Sequence, residues 1–286
     1  MKIAWIGTGI MGFPMANHLI QAGYSLSIYN RSYKKAQPFK DVARLCTSIK
    51  ETIKDADIIV TMVSLPEDVK QVYFDQGILD YAKPGAICVD MTTSSPSLAR
   101  EIYQKGQSKE IICFDAPVSG GDVGAKNQTL TIMVGGPTDH FKKISPLLNI
   151  LGKTITHVGE AGFGQHMKMT NQIAVANNLL GVVESMAYAH SVGLNQSQAI
   201  VVLSAGAASS WQLSVNGPLM INHDFRPGFM NIHFIKDLKL VLEEAKKSNL
   251  KLPMVELVLD MYRNHSEATF MFESTVAIYR DYIYRP

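Results

Sequence analysis

The sequence predicts an α/β fold in which a doubly wound, largely parallel sheet is followed by one long helix and an all-helical region. Three observations carry that expectation. Over the first half of the chain, short apolar runs rich in strand formers alternate with helical stretches, the order of a parallel sheet joined by crossover helices. From Gln165 to Val192 no proline and no polar run longer than three residues interrupts the chain. At ~1.5 Å per residue such a helix runs roughly 40 Å, long enough to connect two domains. Beyond Val192 the apolar period stays helical, with Gly or Pro punctuation around 206, 217–218 and 227–228. The expected domains are residues 1–162 and 163–286.

Composition narrows the classes of function. Hydrophobic residues make up 47% of the 286, enough for sizeable cores, and nothing has the bias of a disordered segment. A net charge of +2, with Lys and Arg dispersed along the chain, implies neither nucleic acid nor an anionic membrane as partner. Cys46, Cys88 and Cys113 lie far apart without metal-ligand spacing and suit a reducing, cytoplasmic setting. The N-terminal stretch has Lys2 before apolar residues, but its glycines and Pro14 do not suit a signal peptide. Asn177 and Asn178 interrupt the apolar part of the long helix, which argues against a membrane span.

Taken in order, Lys2 to Ile6 reads as a strand, Gly7-Thr8-Gly9-Ile10-Met11-Gly12 follows directly, and a helix runs to about Gln21, ended by Gly23. Strand, glycine turn and helix in that order form a dinucleotide-binding fingerprint. Gly7 allows the tight turn, Gly9 the approach of backbone to a pyrophosphate, and Gly12 close packing of helix on sheet. The anion then sits at the helix N-terminus. The second strand, Ser25 to Tyr29, ends in Asn30-Arg31-Ser32. An acidic side chain here would select NAD by repelling a 2′-phosphate. Asn30 is neutral, Arg31 offers a guanidinium fork, Ser32 a hydroxyl, and Lys34 and Lys35 add charge, so NADP(H) is expected. Arg31 can also stack on the adenine, in which case NAD(H) binds as well.

After a helix in the thirties, strands are expected at Asp57 to Val63, Ala86 to Met91, Ile111 to Asp115, Leu130 to Val134 and Ile155 to Val158. Ligands of open α/β sheets lie beyond the carboxyl ends of the strands. Val63, Ser64 and Leu65 after one strand, and Thr93 within Thr92-Thr93-Ser94 after the next, are therefore candidate cofactor contacts, though each is equally a turn residue. Asp115 to Gly121 ends a further strand with Ser119 beside Gly120 and Gly121. Exposed N–H groups there suit a carboxylate, and the same residues also make a plain glycine turn.

Gly159, Gly162 and Gly164 read as a flexible entry to the long helix, and Lys168 and Asn171 share a face near its start. Only Lys168 and Glu184 are charged in that span, so most of its circumference is expected to be covered by protein. An ammonium near a helix N-terminus opposes the dipole, which makes Lys168 either a solvated surface lysine or a functional one.

Four ordered stretches decide between these readings: Gly7 to Pro14, Asp115 to Gly121, Gly162 to Asn171, and Phe229 to Leu238. Together they resemble the β-hydroxyacid dehydrogenase family, which includes 3-hydroxyisobutyrate dehydrogenase, tartronate semialdehyde reductase and plant-type glyoxylate and succinic semialdehyde reductases. The resemblance runs from Lys2 to about the 270s. It implies a Rossmann domain, an interdomain helix and a helical domain that makes the contacts of a homodimer or homotetramer. It implies that Lys168 is the catalytic lysine and Asn171 the substrate-orienting asparagine. Ser119, Gly120 and Gly121 match the substrate loop, and Thr93 and Lys236 match residues near the nicotinamide end, Lys236 also bordering the substrate. Asn30-Arg31 looks like the NADP-linked branch. Two positions depart: Gln172 stands where some members have a second asparagine, and Glu273 where many have aspartate.

The implied reaction interconverts a short hydroxy acid and its semialdehyde or keto form by hydride transfer, with Lys168 exchanging a proton with the oxygen and no metal required. An imine reductase shares this architecture, but those relatives usually replace the lysine. A 6-phosphogluconate dehydrogenase needs a longer helical domain. A non-catalytic cofactor sensor would have no use for the Lys168/Asn171 pair.

Overall fold

The computed structural model describes residues 1–284, which divide into two compact units, residues 1–168 and 169–284. The first is built on a nine-stranded sheet: β1 (Lys2–Ile6), β2 (Ser25–Tyr29), β3 (Arg44–Leu45), β4 (Ile58–Thr61), β5 (Ile87–Asp90), β6 (Ile112–Asp115), β7 (Val118–Ser119), β8 (Leu130–Gly135) and β9 (Gly152–Gly159). Their order is β3-β2-β1-β4-β5-β6-β8-β7, with β9 also on β8. From β3 to β6 all pairs are parallel and the order reverses beside β1, the doubly wound arrangement.

Alternate residues of the strands feed two cores. Ile3, Trp5, Ile28, Val60 and Val89 face one, while Ala4, Ile6, Ile59, Cys88 and Cys113 face the other. A sheet buried on both faces explains why its strands read as continuous apolar runs and not as alternating ones.

Local differences from the expectation have local causes. The sheet is mixed at its far side, where β8 runs antiparallel to β6 and β7. The two-residue strands β3 and β7 are too short to leave an apolar period. The strand expected to reach Val63 ends at Thr61, and the Met62 carbonyl beyond it lies against Gly7. The helix in the thirties is one turn, Tyr33–Ala36, followed by a 3-10 turn at Gln37–Phe39 containing Pro38.

The long helix is Phe163–Ser191. Its circumference is less covered than its lack of charge suggests: Phe163, Met167, Thr170, Ala174, Asn178, Gly181 and Tyr188 are exposed. With Glu184, also exposed, they recur at intervals of three or four, which is one stripe along the helix. The glycines at its entry serve close approach and not flexibility. A Cβ on Gly164 would lie 2.5 Å from the carbonyl oxygen of Asp115 and 2.6 Å from that of Met133.

The second unit is helical, with Gln196–Ser204, Gly217–Ile221, Asn231–Lys247, Pro253–Arg263 and Arg280–Ile283 as α-helices between shorter turns. Its core joins the central helix, through Leu179, Val183 and Met186, to Phe234, Leu238, Val258 and Phe270. Tyr262 lies edge-on to Phe234 at 5.0 Å and donates its hydroxyl to the carbonyl of Thr275 at 2.6 Å. Among the described residues no helix is long and apolar enough to cross a membrane.

Candidate functional site

The glycine turn is held from beneath and open above. Trp5, fully buried, donates its indole N–H to the Gly7 carbonyl at 2.8 Å, and the Gly7 N–H bonds Tyr29 at 2.9 Å. Gly7 has φ +103°, and a Cβ there would lie 2.2 Å from the Met62 carbonyl oxygen; one on Gly12 would lie 2.2 Å from that of Gly7. Both glycines are therefore required by the protein's own packing. Gly9 is different, since a Cβ there would meet nothing within 4 Å. The open side at Gly9 fits the approach of a ligand backbone-first, as a pyrophosphate requires. Thr8 has a buried hydroxyl without a hydrogen-bond partner among the described residues, and Ile10 and Leu65 expose apolar side chains suited to flat cofactor rings. A cleft of about 630 Å³ lies here, lined by Thr8, Gly9, Ile10, Lys35 and Lys126 among others. Met11, half-buried, precedes the first helical residue Gly12.

At the end of β2, Asn30 is committed to shaping the turn. Its Oδ1 accepts the Thr8 N–H at 2.8 Å and its amide donates to the Ser32 carbonyl at 2.9 Å. Arg31 is exposed and reaches Asp68 at 2.9 Å, while Asp68 also accepts the Leu65 N–H at 3.1 Å. The loops after β2 and β4 are thereby joined through Asp68. Ser32 is exposed at the start of the following turn.

A buried network organises the ends of β4 and β5. The Tyr73 hydroxyl lies 3.3 Å from Thr61 Oγ1, which donates to Asp90 Oδ1 at 2.7 Å. The Thr92 N–H donates to the same oxygen at 3.2 Å, and the Thr92 hydroxyl accepts the Val63 N–H at 3.0 Å. Burial pushes the Asp90 carboxyl up to about 6, against the lowering effect of these donors. Thr93 is half-buried and Ser64 exposed on the loops so fixed.

The start of the central helix is fastened to the same strand ends. Asp115, at the end of β6, accepts the N–H groups of Gly162 at 2.7 Å and Gln165 at 2.8 Å, supplying a carboxylate to the helix N-terminus. Burial raises its carboxyl despite these bonds. The Gln165 side chain, fully buried, accepts the Ser94 N–H at 2.9 Å and donates to the Thr92 carbonyl at 2.8 Å. Asp115 and Gln165 are anchoring positions that sequence reasoning passed over. The available signal was a carboxylate ending a strand and an amide side chain in the first turn of a glycine-bounded helix. One turn beyond Gln165, Lys168 is 6% exposed. It is a buried lysine and not the solvated one of the alternative reading. Ser119, half-buried, pairs with Thr131 at the end of β7, and Gly120 and Gly121 follow with φ of +124° and +62°.

In the second unit, Asn171 and Gln172 of the central helix meet Lys236 and Asp237 of the helix Asn231–Lys247. Asn171 donates to Gln172 at 2.8 Å, Gln172 donates to Asp237 at 2.8 Å, and the Lys236 ammonium lies 3.0 Å from the other Asp237 oxygen. Burial and the neighbouring Lys236 lower the His233 imidazole below its usual range. Glu273, the other departure, pairs with Arg280. Trp211 is exposed. Lys168 and Asn171 thus stand on successive turns of one helix, whereas Thr93 and Ser119 belong to the first unit and Lys236 to the second.

Comparisons with known proteins bear on both units. A family model described as the NAD binding domain of 6-phosphogluconate dehydrogenase matches residues 2–159. One described as NAD-binding of NADP-dependent 3-hydroxyisobutyrate dehydrogenase matches residues 162–281. An uncharacterized oxidoreductase of Bacillus subtilis, YkwC, is 44% identical, covering 91% of this chain and 91% of its own. A probable 3-hydroxyisobutyrate dehydrogenase-like 1 protein, mitochondrial, of Arabidopsis thaliana is 42% identical over 91% of this chain and 79% of its own. The solved structure of Mycobacterium tuberculosis 3-hydroxyisobutyrate dehydrogenase with L-serine superposes with a TM-score of 0.89 at 28% identity, covering 98% of both chains.

Proposed function

The chain belongs to the 3-hydroxyisobutyrate dehydrogenase family of NAD(P)-dependent oxidoreductases, and from that premise we propose that it interconverts a short 3-hydroxy acid and its semialdehyde with NADP(H) as the preferred cofactor. The observation that carries this reading is Lys168, a cation buried at a helix start that Asp115 and Gln165 fasten to the strand ends. Burying an ammonium costs free energy even where it has partners, and proton exchange with a substrate oxygen is the use that fits this family.

The bound cofactor supplies or accepts the hydride. In reduction, negative charge develops on the carbonyl oxygen, and the Lys168 ammonium gives that oxygen its proton; in oxidation the neutral amine takes it back. Asn171, one turn on, holds the substrate hydroxyl. The Ser119 hydroxyl and the N–H groups of Gly120 and Gly121 hold the carboxylate, in a turn whose positive φ values turn backbone outward. Lys236, anchored by Asp237, provides a cation near the nicotinamide end. Gly7 to Gly12 cradle the pyrophosphate, and Val63, Ser64, Leu65 and Thr93 flank the cofactor on the loops that Thr92 braces. A neutral Asn30 with Arg31, Ser32 and the cleft-lining Lys35 supports a site for a 2′-phosphate, while NAD(H) lacks that group and binds more weakly. The exposed apolar side chains of the second unit support assembly as a homo-oligomer.

The test is to follow the loss of NADPH, and separately of NADH, against short semialdehydes and glyoxylate, with 3-hydroxy acids, including L-serine, in reverse. Rapid oxidation of NADPH by one semialdehyde is expected. Lys168→Ala should lower kcat by about 10²–10⁴-fold, the usual contribution of a positioned acid or base, while NADPH still binds. Undiminished turnover in that variant would remove Lys168 from the chemistry. Arg31→Asp should move the preference toward NADH, and an unchanged NADPH/NADH ratio counts against the phosphate site.

A further inference from the structure

We propose that Gln172 is a positioning residue that sets the orientation of the Asn171 amide by bridging it to Asp237, an inference that rests on the reading of Asn171 as a substrate contact. Gln172 is 2% exposed, and its side chain makes two hydrogen bonds of 2.8 Å, one accepted from Asn171 and one donated to Asp237. It lies four residues after Lys168 and therefore on the helix face shared with Lys168 and Asn171.

The directions of these bonds are dictated from the Asp237 end. A carboxylate can only accept, so the Gln172 side chain must turn its NH₂ toward Asp237 Oδ2. Its oxygen then faces Asn171, which must answer with its own NH₂. The remaining Asp237 oxygen is held by the Lys236 ammonium at 3.0 Å, so the charge that starts this sequence is itself anchored. Free asparagine amides can flip end for end, whereas here a flip would set two oxygens, or two NH₂ groups, against each other. Asn171 is thereby left with its oxygen and one N–H for the substrate. An asparagine in place of Gln172 is one methylene shorter, so the span to Asp237 is what the longer side chain supplies. In this chain the departure at 172 is a support for the substrate contact and not itself a substrate contact.

The experiment compares kcat/KM for the best hydroxy acid among the wild-type enzyme, Asn171→Ala, Gln172→Met and the double variant Asn171→Ala/Gln172→Met, with NADPH affinity measured in each. Gln172→Met keeps the length and removes both hydrogen bonds. It should lower kcat/KM by roughly 10- to 100-fold, the range for loss of groups that orient a ligating side chain, with NADPH affinity unchanged. In the Asn171→Ala background the same change should cost almost nothing, because Gln172 acts through Asn171. A merely structural role would instead add its full loss in that background and overturn the proposal. Should Gln172→Met fold poorly, the exchanged pair Gln172→Glu/Asp237→Asn restores both hydrogen bonds with the charge moved one position. It should recover most of the kcat/KM that Gln172→Glu alone loses by setting two carboxylates together, and failure to recover also overturns the proposal. If Asn171→Ala is as active as wild type, the assigned role of Asn171 falls and the inference with it. If Asn171→Ala is impaired and Gln172→Met is not, the positioning inference alone fails.

Discussion

Asp90 shows what a single side chain does between the sheet and the loops that follow β4 and β5. It closes a sequence of hydrogen bonds from Tyr73 through Thr61 and, by way of Thr92, fixes the N–H of Val63. Its folded pKa of about 6 lies above the ordinary 3.8, so the native state holds this proton more tightly than the unfolded chain. The stabilisation is then full below about pH 4 and is lost as pH rises through about 6. At 1.36 kcal/mol per unit the loss is about 3 kcal/mol at most. Asp90→Asn carries no such titration. The thermal midpoint of the wild type minus that of Asp90→Asn should therefore fall between pH 4 and pH 7 and level off above. A difference that stays constant across that range would refute the assignment. Gly7 was legible in the sequence because the positive φ of its tight turn is local, whereas the bond from the Thr8 N–H that occupies Asn30 joins two segments 22 residues apart. Asp90 and Asp115 were not legible, because a carboxylate ending a strand acquires its role only from the N–H and hydroxyl groups that other segments bring to it.

At the scale of elements, the central helix was legible from the absence of proline, and the strands of the parallel half from their apolar runs. What escaped was the attachment of helix to sheet. Gly164 reads in sequence as looseness, yet its α-hydrogen points where a methyl group would press on the carbonyl oxygens of Asp115 and Met133. The same contact lets the Asp115 carboxylate reach the N–H groups of Gly162 and Gln165. Gly164→Ala should therefore destabilise the fold by about 1–3 kcal/mol, the usual cost of overpacking, even though alanine is the better helix former. Because Lys168 lies one turn away, kcat should fall as well. Urea denaturation and turnover of the same variant check both parts, and a variant as stable as wild type would show that the strand ends yield to the methyl group without cost.

For the whole molecule, four motifs in order made the family legible, since each is tied to a backbone turn or a helix start. Which surface would serve assembly is not legible in sequence, because an apolar helix residue looks the same whether its own chain or a second copy covers it. The helix Gln196–Ser204 illustrates this: it is rich in apolar residues, yet none of its residues is buried, and Val201 and Val202 are 69% and 70% exposed. Tyr188 and Trp211, in the same unit, are exposed as well. Leaving several large apolar side chains in water is unfavourable at roughly 25 cal/mol per Å², and exposed apolar side chains on one helix suit a contact surface. A second copy is the partner that the oligomeric reading supplies. Val201→Asp/Val202→Asp should shift the protein from oligomer to monomer in size-exclusion chromatography with light scattering. Its circular dichroism should remain that of the wild type, because neither side chain contributes to the folded core of its own chain. A wild type that is itself monomeric at micromolar concentration, or a double variant that still assembles, would exclude this helix from the interface.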